Sequence, residues 1–342
     1  QYDASRHDPF LLPDMDKAVA RLVQAHKKQE KVVIYGDYDI DGLTATTLLL
    51  DAFASFGIVA TAFIPNRFVE GYGLSGAAIE TLVEQGAQLI VTVDCGSLSF
   101  DEIARARELG VDVIVTDHHS VADTMPEAIA VVNPKRLLAD HPEAYHSTSL
   151  TRLLSSTRES SSVLRSADRI SDQQPSRTSG DLYPFVDLAG VGVAFKLIQA
   201  LQTKLEGLDK GQEKWLLDLV ALGTVCDVVT LRDENRANVR WGLEVMRKTR
   251  RPGLRALMAV SRVKPSELNA RSLGFGLGPR LNAAGRLETA QLSLDLLTTT
   301  EPGRALEIAE QLEAMNLARR TEQDRIFTHA KEKYLEYTDD HV

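Results

Sequence analysis

Five short apolar segments, separated by amphipathic stretches, dominate residues 31–134. The first four are separated by stretches of about 10–15 residues with helical periodicity. Strands that alternate with helices of this length form right-handed βαβ crossovers and therefore a parallel sheet. We expect an α/β fold with a Rossmann-like, parallel, five-stranded sheet. The apolar segments are KVVIYGD, VATAFIP, QLIVTVD, VDVIVTD and AIAVVNP.

Carboxylates and imidazoles cluster directly after three of these predicted strands. Because the carboxyl ends of parallel strands meet at one edge of a sheet, we expect these side chains to converge. Converging carboxylates repel one another unless cations lie among them, so the pattern predicts a site for more than one metal ion. The candidate catalytic residues are Asp37, Asp39, Asp41, Asp94, His118 and His119, together with Asp227 much further along the chain.

The residue types restrict the metal and the reaction. Carboxylates mixed with imidazole suit Mn²⁺ or Mg²⁺ better than soft metals, and no Cys/His spacing indicates structural zinc. The run from Asp37 to Gly42 is not an EF-hand calcium loop, because position twelve is Leu48 rather than Glu. Two ions held by carboxylates activate water for attack on phosphorus, which predicts phosphoester or phosphoanhydride hydrolysis.

The net charge of −9 hides a basic segment. Residues 232–286 contain 13 Lys or Arg against 4 Asp or Glu. Such a segment is either a nucleic-acid footprint or a solvated helical surface, and both readings remain open. No apolar run reaches the length of about 18–20 residues that spans a membrane. The two cysteines, Cys95 and Cys226, are interpreted as buried thiols, which favours the cytoplasm.

The chain is long enough for two lobes with separate cores. A glycine-rich run over residues 274–286, which includes GPRLNAAGR, is predicted to be a loop. Four segments are expected: an α/β catalytic domain over 1–137, a flexible Ser-rich insertion over 138–183, a helical part over 184–300 that carries this loop, and a long connector helix over 301–342.

Two further groups of residues suit contacts with nucleic acid. Arginine can bind phosphate with two parallel hydrogen bonds, and an aromatic side chain between glycines can stack on a base. The structural alternatives are a turn in which Tyr72 is packed and a helix-capping role for Asn282. The candidate DNA-binding residues are Arg67 and Tyr72 in PNRFVEGYG, with Arg280, Asn282 and Arg286 in the glycine-rich run.

The motifs GDYDIDG, VDCG, TDHH, NPK, PFVDLAGVGVAFKL, ALGTVCDVV and GPRLNAAGRL occur in this order. Together they resemble the DHH phosphoesterase superfamily and, within it, the RecJ family of single-strand-specific DNA exonucleases. The resemblance covers about residues 8–136 and 184–337. It implies a 5′→3′ exonuclease of DNA recombination and repair that releases 5′-mononucleotides, with single-stranded DNA as substrate and a single-strand-binding protein or helicase as a further partner.

The resemblance also implies roles for individual residues. The metal ligands would be Asp39, Asp41, Asp94, His118 and Asp227, with Asp37 and His119 at or beside the ions. Arg67, Arg280 and Arg286 would contact phosphates, and Tyr72 a base. The long helix would lead towards a DHHA1 domain outside this sequence. The alternatives are a DHH-family phosphodiesterase acting on short oligonucleotides or cyclic dinucleotides, and an inactive scaffold, which the complete set of ligand positions disfavours.

Overall fold

The strands form one parallel sheet, as the sequence predicts. The computed structural model describes residues 2–66, 71, 73–142, 182–287 and 290–339. Within these residues the sheet has five strands in the order β2-β1-β3-β4-β5, and every neighbouring pair is parallel. The strands are β1 Val32–Gly36, β2 Ala60–Phe63, β3 Leu89–Val93, β4 Asp112–Thr116 and β5 Ala130–Val132.

Helices cover both faces of this sheet. The helices of the α/β part are α1 Met15–Lys28, α2 Ile40–Phe56, α3 Gly76–Glu84, α4 Phe100–Glu108 and α5 Arg136–Asp140. Alternation along β1 explains the two layers, because successive side chains of a strand point to opposite faces. Val32 and Ile34 belong to the large core that includes α1 and α2, whereas Val33 and Tyr35 pack in a smaller core beneath α3 and α4.

The strand order predicts a ligand site at the carboxyl ends of β1 and β3. The chain leaves β1 for β2 on one side and returns to β3 on the other, so the direction of winding reverses between β1 and β3. Ligands of such sheets bind beyond the carboxyl ends of the strands at this reversal. Gly36 is paired with Val93, and Val93 with Thr116, so the three strands end level with one another. The acidic turns therefore start at the same edge.

The second half of the chain is helical. Its α-helices are α6 Gly190–Leu201, α7 Leu217–Cys226, α8 Asp233–Met246, α9 Pro252–Val260, α10 Gly278–Leu287, α11 Gln291–Thr298 and α12 Pro302–Asp339. Short 3₁₀ turns in this half span Gln212–Leu216 and Pro265–Glu267, and two more, Tyr2–Ser5 and Pro9–Leu11, lie at the start of the chain.

This helical half does not have a core of its own. Helices α6, α7 and α11 pack on α2, and buried residues of the helices and of the sheet join one continuous cluster. The described residues thus share one core, because α2 has apolar side chains all around and contacts both halves. Most of the predicted Ser-rich insertion, residues 143–181, lies outside the described residues.

The glycine-rich run is helical, so the prediction of a loop is wrong. It forms a π-helix over Ser272–Leu277 that leads directly into α10. The glycines allow close packing here. A Cβ on Gly278 would lie 2.8 Å from Cys226 Sγ, and one on Gly285 would lie 3.2 Å from the Tyr38 carbonyl oxygen. This run therefore packs directly against the turns that carry the acidic residues.

The long C-terminal helix has two different halves. The first half of α12 buries Ala305, Ile308, Ala309 and Leu312 against α9, α10 and α11. The half that follows Leu317 is largely exposed where its side chains are described. The predicted long helix is confirmed over Pro302–Asp339, and its role as a connector stays a prediction. No helix in the described part of the chain is long and apolar enough to cross a membrane.

Candidate metal centre

The turn after β1 supplies three carboxylates. Asp39 caps the N-terminus of α2, where its Oδ1 accepts hydrogen bonds from the backbone N–H groups of Asp41 (2.8 Å) and Gly42 (3.2 Å). Gly42 is required because a Cβ there would lie 2.5 Å from the Asp37 carbonyl oxygen. This close approach folds the turn back on itself, so Asp37 and Asp41 are both buried beside the end of β1.

A second helix end holds the Asp41 carboxylate. The first N–H groups of a helix have no partner within the helix and carry partial positive charge. At the start of α6, the N–H groups of Gly190 and Val191 donate to the two oxygens of Asp41, at 2.6 and 2.9 Å. This contact joins residues about 150 positions apart in the chain. Sequence reasoning missed it, although Gly190, which directly precedes the apolar segment VGVAFKL, was a usable signal.

The turns after β3 and β4 supply Asp94, His118 and His119. Asp94 has a φ of 63°, in the left-handed region that residues other than glycine seldom adopt. Asp117 accepts hydrogen bonds from the backbone N–H of Ser97 (2.9 Å) and of His118 (2.7 Å), and lies 2.8 Å from His119 Nδ1. Asp117 is thus occupied in holding the histidine turn and in orienting the His119 imidazole.

The last carboxylate comes from a helix rather than from a strand. Asp227 follows the final residue of α7. His118 Nε2 lies 3.0 Å from Asp94 Oδ1, 3.6 Å from Asp227 Oδ2 and 3.7 Å from Asp41 Oδ2. Thus His118 is surrounded by carboxylates from three different elements. The structure brings all seven predicted catalytic residues together at this edge of the sheet, in three overlapping groups: Asp94, His118 and His119; Asp41, His118 and Asp227; and Asp37, Asp39 and Asp94.

The carboxylates raise one another's pKa values. Burial, followed by the charge of Asp39, raises the pKa of Asp37 to about 7 and that of Asp227 to about 6. Burial raises the pKa values of Asp41 and Asp94 well above the ordinary range. The second-largest cause is the charge of Asp227 for the pKa of Asp41 and the charge of Asp41 for the pKa of Asp94. Without a cation the site is therefore electrostatically strained.

The two histidines differ in protonation. Burial, followed by the neighbouring His119, lowers the pKa of His118 to about 4, so this imidazole is neutral at pH 7. A neutral imidazole has the lone pair that a metal ligand needs. The hydrogen bond with Asp117 raises the pKa of His119, and 43% of the His119 side chain is exposed. His119 is therefore positioned to hold a proton at the mouth of the site.

Several buried polar atoms at this centre have no hydrogen-bond partner among the residues that the structure describes. They are Asp37 Oδ1, Asp94 Oδ1, His118 Nε2 and Asp227 Oδ2. A buried atom without a partner costs about 1–3 kcal/mol, and more when it is charged. Asp94 Oδ1 and Asp227 Oδ2 lie beside His118 Nε2, and Asp37 groups with Asp39 and Asp94, so two divalent cations would satisfy these atoms. The donor set of oxygens with one imidazole nitrogen fits Mn²⁺ or Mg²⁺.

The structure describes two of the five predicted DNA-binding side chains, Arg280 and Asn282. Arg67, Tyr72 and the side chain of Arg286 lie outside the described residues. Arg280 is only 8% exposed, forms an ion pair with Glu313 of α12 and donates to the Gly276 carbonyl oxygen at 2.6 Å. Arg280 is therefore not the free phosphate clamp that the sequence suggested, because α12 supplies it with a carboxylate. Asn282 borders a groove beside Ile40 and Cys226.

Comparison with known proteins identifies the family of this chain. The model of the DHH family N-terminal domain matches residues 31–224. The single-stranded-DNA-specific exonuclease RecJ of Bacillus subtilis strain 168 is 39% identical over 317 residues, which cover 93% of this chain and 34% of that protein. RecJ of Salmonella typhimurium strain LT2 is 38% identical over 324 residues, which cover 90% of this chain and 48% of that protein. The chain thus spans between a third and a half of these relatives.

A solved structure of a related exonuclease shares the fold of this chain. The crystal structure of exonuclease RecJ bound to manganese superposes with a TM-score of 0.72 at 30% identity, covering 93% of this chain and 69% of that one. The range that the DHH model matches contains the five strands, the carboxylates of their end turns and the histidine turn of this chain. The chain belongs to the DHH family, among its RecJ-type members.

Proposed function

We propose that this chain is the catalytic part of a Mn²⁺- or Mg²⁺-dependent exonuclease that degrades single-stranded DNA in the 5′→3′ direction to 5′-mononucleotides. The observation that carries the proposal is the set of mutually facing, unpartnered buried atoms on Asp94, His118 and Asp227. The likeness to single-stranded-DNA-specific exonucleases over nine-tenths of the chain supports the substrate class.

Five residues would hold the ions: Asp39, Asp41, Asp94, His118 and Asp227. When bound, two ions would lower the pKa of a water molecule and offset charge on the phosphate. Asp94 and His118 each belong to two of the three ligand groups, which supports a role at the boundary between two ions. The N-terminus of α6 would keep Asp41 in place as the ions enter and leave.

The exposed His119 would serve proton transfer. Its pKa is raised by Asp117, so the imidazole is more often protonated at neutral pH than an ordinary histidine. A proton at this position can pass to the oxygen that leaves phosphorus when the strand is cut. Asp117 would act through His119, since its carboxylate is occupied by backbone N–H groups and the imidazole.

The biological setting extends the proposal. We infer a role in DNA recombination and repair in the cytoplasm, with a single-strand-binding protein or a helicase supplying the strand. The basic segment 232–286 supports a nucleic-acid substrate larger than a dinucleotide.

The test is digestion of single-stranded DNA labelled at either end, with Mn²⁺ present. We expect 5′-mononucleotides to appear first from the 5′ end and Asp94→Ala to abolish their release. Glu84→Ala is the control, because this exposed carboxylate lies at the far end of α3, away from the catalytic edge. Release from dinucleotides or cyclic dinucleotides, with long strands left intact, would instead establish the DHH-family phosphodiesterase alternative.

A further inference from the structure

A groove borders the metal centre on the side of α7. It has a volume of about 620 Å³, which is within the range of small-ligand sites. Its floor includes Ile40, which lies between Asp39 and Asp41, and Cys226, which precedes Asp227. Its far wall is the π-helix Ser272–Leu277 and the start of α10. We call it the Phe275 groove. The groove is therefore continuous with the backbone that carries three proposed metal ligands.

An exposed aromatic ring forms part of that wall. Phe275 is 72% exposed, although it lies in a segment whose neighbours Leu273 and Leu277 are fully buried. It also lies in a π-helix, a geometry that is rare in proteins overall but is often found at functional sites. The Arg271 guanidinium lies 5.4 Å from the centre of the ring. A flat apolar face beside a cation is the arrangement that proteins use to stack nucleobases.

The residue after Asp227 shows a second anomaly. Val228 has a φ of 61°, a conformation that is unfavourable for a β-branched side chain. Its side chain is nevertheless 86% exposed and borders the groove, so burial of Val228 does not repay this strain. Strained residues of this kind cluster where proteins clamp ligands. The anomaly therefore points to the same groove as Phe275.

The charge of the groove suits an anion. Its cationic lining residues are Arg271 and Arg319, and Asn282 adds an amide; among the described residues that border it there is no Asp or Glu. The metal centre next to it is acidic, so a ligand that extends from one to the other needs phosphate at the ions and an apolar, planar part in the groove. A nucleotide has both features.

We propose that the Phe275 groove binds a nucleobase of the single strand next to the phosphate that is cut, with the base stacked on Phe275. This proposal rests on the function proposed above, because it assumes a DNA strand at the metal centre. Stacking on the ring is sequence-tolerant, since every base has an apolar face. Arg271, whose guanidinium lies over the ring, would cover one face of Phe275 and contact the adjacent phosphate, so the base would stack on the other face.

The test compares strand binding by Phe275→Ala, Phe275→Trp and Phe327→Ala, each in the full chain. Phe327 is the matched control, because it is 71% exposed on the outer half of α12. The probes are a short oligothymidylate and a strand of equal length whose sugars carry no base. We expect Phe275→Ala to bind the oligothymidylate about 10-fold more weakly, as loss of one stacked base predicts. Phe275→Trp should bind normally, and Phe327→Ala should match the unmodified chain.

The base-free strand decides the mechanism. It should bind equally to Phe275→Ala and to the unmodified chain, because no base remains to stack. Equal binding of oligothymidylate by the Phe275 and Phe327 variants, or equal losses for both strands, would overturn the proposal. Cleavage is measured separately. If cleavage depends on Asp94 and Phe275→Ala has no effect, the groove proposal is wrong and the exonuclease proposal stands. If binding depends on Phe275 but no cleavage occurs, the exonuclease proposal is wrong and the groove proposal stands.

Discussion

Replacement of Asp37 by Asn should stabilise the protein in the absence of metal. Asp37 is 3% exposed, and its Oδ1 has no hydrogen-bond partner. Burial and the charge of Asp39 raise its pKa from 3.8 to about 7. One unit of pKa corresponds to about 1.4 kcal/mol, so the ionised carboxylate costs up to about 4 kcal/mol above pH 7. We expect about 2–4 kcal/mol of stabilisation in Asp37→Asn, because neighbouring carboxylates relax when one charge is removed.

The pH dependence has a definite sign. Because the folded-state pKa of Asp37 is raised, the folded protein binds a proton that the unfolded chain has already released between about pH 4 and pH 7. The stability of the metal-free protein therefore falls as pH rises through this window. The Asn variant lacks this loss. The two proteins should have equal contributions from this position near pH 4 and differ fully near pH 8.

The assay is urea unfolding with EDTA at about pH 4.5 and pH 8. Asp16→Asn, on the exposed face of α1, is the control and should leave the free energy of unfolding unchanged at both values. Added Mn²⁺ should reverse the order, since it stabilises the unmodified chain more than the variant by mass action. The reasoning is refuted if Asp37→Asn is less stable than the unmodified chain at about pH 8 without metal.

Two further substitutions test the supports of the site. Gly190→Ala should weaken Mn²⁺ binding by about 10-fold or more in calorimetric titration, because its Cβ would lie 2.8 Å from Asp94 Oδ1. The control Gly303→Ala, whose Cβ meets nothing within 4 Å, should bind Mn²⁺ normally. Equal Mn²⁺ affinities of the two variants would contradict this account. Asp117→Asn should lower the pKa of His119 in an NMR titration and move the basic limb of the cleavage profile to lower pH, because it removes the carboxylate that raises that pKa; an unchanged imidazole titration would show that Asp117 does not act through His119.

The sheet and most of the site could be predicted from local features of the sequence. A short apolar run that ends in a polar turn specifies a buried strand, and alternation with helices requires parallel pairing. Parallel pairing brings the strand ends together, so Asp37, Asp94 and His118 were predicted to meet. Their convergence is thus a geometric consequence of the fold class rather than of any particular long-range contact.

The partners of other residues depended on contacts that no local pattern contains. Glycines at 274–286 were predicted to form a loop, because the same composition gives flexibility in one setting and close helix packing in another. Close neighbours from elsewhere in the chain, such as Cys226 at Gly278 and Tyr38 at Gly285, accompany the packed helical outcome here. In the same way, no local pattern pairs Arg280 with Glu313, 33 residues away, and the contact of Arg280 with phosphate stays a prediction.

The sequence by itself determined the strands, the chemistry of the strand-end side chains and the family, because these depend on residues that are close along the chain. Tertiary structure alone decided that Asp41 receives the N-terminus of α6, that Asp227 completes the site from a helix end, and that Phe275 remains exposed beside both. The physical reason is that backbone donors, ion pairs and exposure depend on which elements pack together. That packing is set by the whole core rather than by any single segment.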